Sequence, residues 1–205
     1  MVTESDFSSH VFRSSAFRSV VNEALDFFSG TPVHQLPPQG SFFGGGVYAL
    51  YYVGNCKYYL QISKLNKRNC TQPIYVGKAV PPGWRTARSR ESATPDLCNR
   101  LQEHARNIQQ VSNLAPNDFR CRFMFLTKEE SDLVVPVEAA MIRKYRPLWN
   151  TVVDGFGNHD PGAGRYNQAR SEWDIIHPGR VWASRLTGKS PVSDKVIDNI
   201  KKALI

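Results

Sequence analysis

The sequence has no acidic residue between Phe27 and Arg90. The same stretch carries Lys57, Lys64, Lys67, Arg68, Lys78, Arg85, Arg88 and Arg90, so the net charge of +8 is concentrated there while the remaining charges balance. Such a one-sided stretch is the footprint of a surface that tracks phosphates, although a merely solvated basic face would have the same composition. Apolar runs long enough to cross a bilayer are also missing, which leaves no role for a membrane. Glu4, Asp6 and His10 stand where a signal peptide would be apolar, so a cytoplasmic location is expected. The four cysteines (Cys56, Cys70, Cys98 and Cys121) include no Cys-x-x-Cys pair and no histidine at finger spacing. That excludes a structural zinc site and predicts reduced thiols.

Other absences remove specific chemistries. Pro95-Asp96 imitates the commonest restriction-enzyme core, but that core needs an acid two residues before a lysine, and the chain has none. Gly188-Lys189-Ser190 imitates the end of a phosphate-binding loop, yet Ala183 stands where its first glycine belongs. Asn158-His159-Asp160 lacks the second ligand motif of a ββα-metal nuclease and reads as a glycine-loop segment that could touch DNA.

What is present fits one α/β unit with arms. Phe17, Val20, Val21, Ala24, Leu25 and Phe28 repeat at helical spacing, which predicts an amphipathic helix over 14–28, closed by Gly30 and Pro32. A Gly/Pro-rich connection follows, then a β-branched and aromatic run over 47–53. A second strand over 73–77 is expected to pair with it as a hairpin with a long basic tip. Helical spacing returns over 96–111, a third strand is expected over 120–126, and a helix over 137–145 has Pro136 at its first turn. The expected organisation is a helical arm and linker over 1–45, a core over 46–153 and an extension over 154–205.

Within the core, Gly46-Val47-Tyr48 and Ile74-Tyr75-Val76-Gly77 are followed by Arg100-Leu101-Gln102-Glu103-His104, then Glu138, then Arg146-Pro147-Leu148-Trp149-Asn150. Singly these strings are commonplace, and a tyrosine in a strand usually packs. In this order they resemble the GIY-YIG nucleases: two tyrosine strands, a helical arginine, a glutamate on the next helix and an asparagine in an RPxxN ending. The 26 residues between Tyr48 and Tyr75, with His104 one turn after Arg100, are similar to the type II restriction endonucleases of that family, in particular the subgroup cutting CCGCGG. The tail around Trp173-Asp174 and His177 to Trp182 is similar to that subgroup too.

The resemblance implies a small central antiparallel sheet of about three strands flanked by helices, and hydrolysis of double-stranded DNA. Glu138 is the one carboxylate of the motif, suited to one Mg²⁺, with Mn²⁺ as an alternative. Arg100 and His104 are four apart on a predicted helix and share a face. Arg100 suits the phosphate as it gains charge in the transition state. Tyr48 is the expected general base, but a phenol needs help to ionise, from His104 as proton acceptor or from the Arg100 and metal charges. Tyr75 is expected to hold water or phosphate, and Asn150 to support the phosphate or the site around it. DNA contacts are expected from Lys57, Lys64, Lys67, Arg68, Lys78, Arg85, Arg88, Arg90 and Arg180. A palindromic target implies a homodimer, and restriction implies a cognate DNA methyltransferase. The rivals are a structure-specific repair or mobile-element nuclease with the same core, and an inert DNA-binding module.

Overall fold

The computed structural model describes residues 7–81, 83–84 and 94–204. Its centre is a four-stranded antiparallel sheet in the order β1-β4-β2-β3, built from β1 (His34–Gln35), β2 (Gly46–Tyr52), β3 (Tyr75–Ala79) and β4 (Phe119–Phe125). Three strands match the sequence expectation. The fourth, β1, is only two residues long, too short for any alternation of apolar and polar positions to announce it.

All seven residues of β2 are buried because both faces of the sheet are covered. On one face, Val47, Ala49 and Tyr51 pack under α1 (Ser15–Gly30) and α4 (Val134–Tyr145), through Val21, Leu25, Phe28, Val137 and Met141. On the other, Tyr48, Leu50 and Tyr52 pack under α3 (Asp96–Gln109) and the C-terminal segments, through Leu101, Ile108, Trp149, Trp173 and Ile200. Each aliphatic side chain removed from water here contributes about 1.5–3 kcal/mol. Ser14 Oγ caps α1 by accepting from the Phe17 amide at 3.1 Å. Helix α4 starts three residues before the expected Val137, so Pro136 lies in its first turn.

The segment between β2 and β3 is not a long hairpin tip. It folds back as α2 (Leu60–Asn66), with Tyr59 and Ile62 in the core. Buried Asn66 fixes the turn: its amide nitrogen donates to the carbonyls of Tyr52 and Gln72, and its oxygen accepts from the amides of Thr71 and Gln72. One side chain thereby satisfies four backbone groups, a constraint that hydrophobic periodicity does not register.

The tail is part of the main core. After α5 (Leu148–Thr151), α6 (Glu172–Ile176) and α7 (Ser193–Ala203) place Trp173, Ile176, Val196 and Ile200 in the same cluster as Tyr48 and Leu101. A buried polar relay joins them to the front of the chain. Trp149 Nε1 donates to Tyr59 Oη at 3.1 Å, Tyr59 Oη lies 2.6 Å from His177 Nε2, and His177 Nδ1 lies 2.8 Å from Asn113 Oδ1. Since Tyr59 Oη accepts from Trp149, its own proton goes to His177. Burial pushes the His177 pKa down to about 3, so its ring is neutral. All four cysteines are free thiols. Among the described residues no helix is long and apolar enough to cross a membrane.

Candidate active site

β3 is an edge strand, and the two faces of the sheet meet at its open side. Helix α3 approaches from one face and α4 from the other, enclosing a cleft of about 710 Å³ lined by Tyr48, Tyr75, Lys78, Arg100, Glu103 and Glu138 among others. Asn150 sits on the strand itself. Its amide oxygen accepts from Val76 N–H and its nitrogen donates to Val76 C=O, both at 2.8 Å, as a neighbouring strand would. Through these two bonds Asn150 braces the frame around the site.

At the bottom of the cleft Tyr48 Oη lies 2.6 Å from His104 Nε2 and accepts from Arg100 Nε at 3.4 Å. With a guanidinium N–H already directed at it, the phenol O–H donates its hydrogen bond to His104 Nε2. Burial, reinforced by Tyr75, pushes the Tyr48 pKa up, and the Arg100 charge only partly offsets it. Burial and Arg100 push His104 down. The resting pair is therefore neutral, phenol beside imidazole; Arg100 and His104 alone do not hold Tyr48 as phenolate. His104 is fully buried, and its Nδ1 has no partner among the described residues.

Tyr75 adjoins both rings, 6.2 Å from Tyr48 and 5.3 Å from His104 between centroids. The glycine of the second motif makes room for this arrangement. A Cβ on Gly77 would lie 2.6 Å from Tyr48 Cζ and 3.1 Å from Tyr75 Cε1. Gly77→Ala is accordingly expected to displace the Tyr48 ring, costing about 1–3 kcal/mol of stability. The displacement should also slow cleavage about 100-fold. Urea melts and cleavage rates of the variant check both; unchanged rates would mean that the ring is not held by this contact.

Glu138, on α4, is paired with the Lys78 ammonium, and both side chains are largely buried. Lys78 thus lies inside the cleft. Lys57, Lys64, Lys67 and Arg68 are exposed around α2. Arg85, Arg88 and Arg90 lie outside the described residues.

Arg180 requires a correction: it does not face DNA. Its side chain is buried, with Nε and Nη2 on the Asp174 carboxylate at 2.6 and 2.7 Å. Its remaining N–H groups reach the carbonyls of Gly155 at 2.9 Å, Phe156 at 3.1 Å and Asn158 at 3.2 Å. The guanidinium also lies between the Trp173 and Trp182 rings, 4.7 and 4.6 Å from their centres. All five donors are used inside the protein, which leaves none for a phosphate or base.

Arg180 instead holds a loop against the cleft residues. Phe156 stacks on His104 at 4.6 Å and 17°, and Gly157 C=O accepts from Arg100 Nη2 at 3.2 Å. These contributions from the tail were not expected from the sequence, where the segment around Asn158 read only as a glycine loop.

A comparison with curated proteins gave no match. The family model described as the Eco29kI GIY-YIG domain matches residues 40–204, taking in the four-stranded sheet from β2 onward, the cleft and nearly all of the tail. The chain belongs to the Eco29kI GIY-YIG family and carries a restriction-type nuclease domain whose substrate is DNA.

Proposed function

We propose that this protein is a type II restriction endonuclease that cuts double-stranded DNA at a short palindrome, CCGCGG, leaving 5′-phosphate and 3′-hydroxyl ends. The observation that carries the reading is that Tyr48, Arg100, Tyr75 and Glu138 line one cleft at the edge of the sheet, with His104 buried behind Tyr48 at hydrogen-bond distance from its hydroxyl. Hydrolysis forms a bond from a water oxygen to phosphorus and breaks the bond to the 3′ oxygen. Tyr48 takes the water proton as its own passes to His104, and the departing 3′ oxygen is protonated by solvent. Arg100 faces the charge that builds on the phosphate, and Tyr75 orients the water or the phosphate.

The residues fit a divalent ion that keeps most of its water. Among the described residues no three His, Cys, Asp or Glu side chains cluster as a closed cage. Glu138, however, faces the cleft and already holds a cation, the Lys78 ammonium. A hydrated Mg²⁺ or Mn²⁺ bound by one carboxylate and completed by DNA oxygens suits that arrangement. When bound, it would supply charge neutralisation at the phosphate and the leaving oxygen. A palindrome needs one such site for each strand, hence a homodimer, and a host carrying the activity needs a cognate DNA methyltransferase.

The test is a plasmid carrying CCGCGG, incubated with and without Mg²⁺ beside the Glu138→Ala variant. Discrete fragments are expected only with metal and wild-type protein, with the variant slower by about 1,000-fold or more. Cleavage of branched or flapped DNA in place of the plasmid would establish the repair alternative, and binding without cleavage the inert module.

A further inference from the structure

The loop that follows α5 is anchored on both sides of His159. Ahead of it, Arg180 grips the carbonyls of Gly155, Phe156 and Asn158. Asp154 and Glu172 add reciprocal bonds, each side chain accepting from the other residue's amide. Behind it, Asp160 accepts from the Gly162 amide, Tyr166 Oη and Arg185 Nη2. His159 is thus presented by a fixed backbone although its side chain is 60% exposed.

The imidazole closes a three-membered ring of contacts on α3. Nε2 lies 2.8 Å from Arg100 Nη1, Nδ1 lies 2.6 Å from Glu103 Oε1, and Glu103 Oε2 lies 2.8 Å from the same Arg100 Nη1. A guanidinium can only donate, so Nε2 is the acceptor and the proton of the neutral ring sits on Nδ1, directed at Glu103. This arrangement has a steric and electrostatic consequence. Glu103, one turn along the helix, has the geometry to take Arg100 with both oxygens, fork to fork, and draw it away from Tyr48. His159 occupies one of those oxygens. With Gly157 C=O on Nη2, it also holds the outer side of the guanidinium, leaving Nε turned to Tyr48 Oη.

We propose that His159 is a positioning residue for DNA hydrolysis: by accepting from Arg100 and holding one oxygen of Glu103, it keeps the guanidinium against Tyr48 in the orientation the reaction needs. The inference rests on Tyr48 and Arg100 being the hydrolytic centre. It gives the Asn158-His159-Asp160 segment a role in the reaction rather than in contacting DNA, and makes the tail a working part of the site.

Single-turnover cleavage and equilibrium DNA binding of the full chain, compared for wild type, His159→Ala and His159→Gln, test it. His159→Ala should slow the cleavage step about 10- to 100-fold while DNA affinity changes less than about 3-fold. His159→Gln should restore most of the rate, because an amide oxygen can accept from Arg100 while its NH₂ donates to Glu103. Wild-type speed in His159→Ala, a loss confined to affinity, or equal failure of both variants would each overturn the proposal. The Arg100 Nε–H resonance gives a readout independent of turnover. It should be protected from solvent exchange in wild type, lose protection in His159→Ala and regain it in His159→Gln; protection unaffected by the alanine variant sinks the inference even if no cleavable DNA is found. Absence of cleavage by wild type with that resonance behaving as expected would instead count against the nuclease assignment of the site.

Discussion

Tyr48→Phe is expected to abolish most DNA cleavage, lowering the single-turnover rate by about 10²- to 10⁴-fold, the range for loss of a general base. The substitution removes one oxygen and leaves the ring packed between Tyr75 and His104. That oxygen is the meeting point of the site: it accepts from Arg100 Nε and donates a hydrogen bond to His104 Nε2. Without it, the water has no acceptor in line with His104. The imidazole also loses the partner of its Nε2, at a cost of about 1–3 kcal/mol in stability. DNA binding should survive, because the exposed basic residues around α2 are untouched. Rates, affinities and urea melts of the variant separate these effects. A Tyr48→Phe protein that cuts DNA within 10-fold of wild type would remove Tyr48 from the reaction.

The second large effect falls on stability. Arg180→Met should destabilise the fold by about 3–5 kcal/mol, since removing one partner of a buried pair strands the other. Here the stranded groups are the Asp174 carboxylate, which is 3% exposed, and the carbonyls of Gly155, Phe156 and Asn158. Ser171 Oγ, which also donates to Asp174, cannot replace a guanidinium. Adding Asp174→Leu should recover part of the loss by removing the unpaired charge, though not the part due to the three carbonyls. Because the freed loop carries Phe156 and His159, cleavage should fall as well. Equilibrium urea unfolding of the single and double variants measures the effect. If Arg180→Met unfolds like wild type and merely binds DNA less well, Arg180 is a surface contact after all and the buried clamp is wrong.

Arg180 also shows where sequence reasoning stops. An arginine between tryptophans in a basic protein reads as a DNA contact, because an isolated arginine is usually exposed. What buries it is a coincidence of distant residues: a carboxylate six positions earlier and three carbonyls more than twenty positions earlier, none of which forms a pattern along the chain. The same holds for histidine. The fold contains two tyrosine–histidine pairs with the same 2.6 Å separation, Tyr48 with His104 and Tyr59 with His177. The oxygen–nitrogen distance does not distinguish them; their surroundings do. Tyr59 is sealed by Trp149 and His177 is satisfied on both nitrogens, which makes that pair a brace. Tyr48 borders the cleft beside Arg100.

By itself the sequence determined the three longer strands and the α3 and α4 helices of the core, the concentration of basic charge, and the five polar positions of the motif. Periodicity of two or 3.6 residues and a motif read in linear order suffice for those. Only the tertiary structure decided that the segment after β2 is a helix held by Asn66, that Lys78 sits on Glu138, that Asn150 serves the edge of β3, and that the tail completes the site through Phe156, Gly157 and His159. Each of these depends on hydrogen bonds and burial between residues far apart in the chain, and such contacts are fixed by how whole elements pack, which no local pattern encodes.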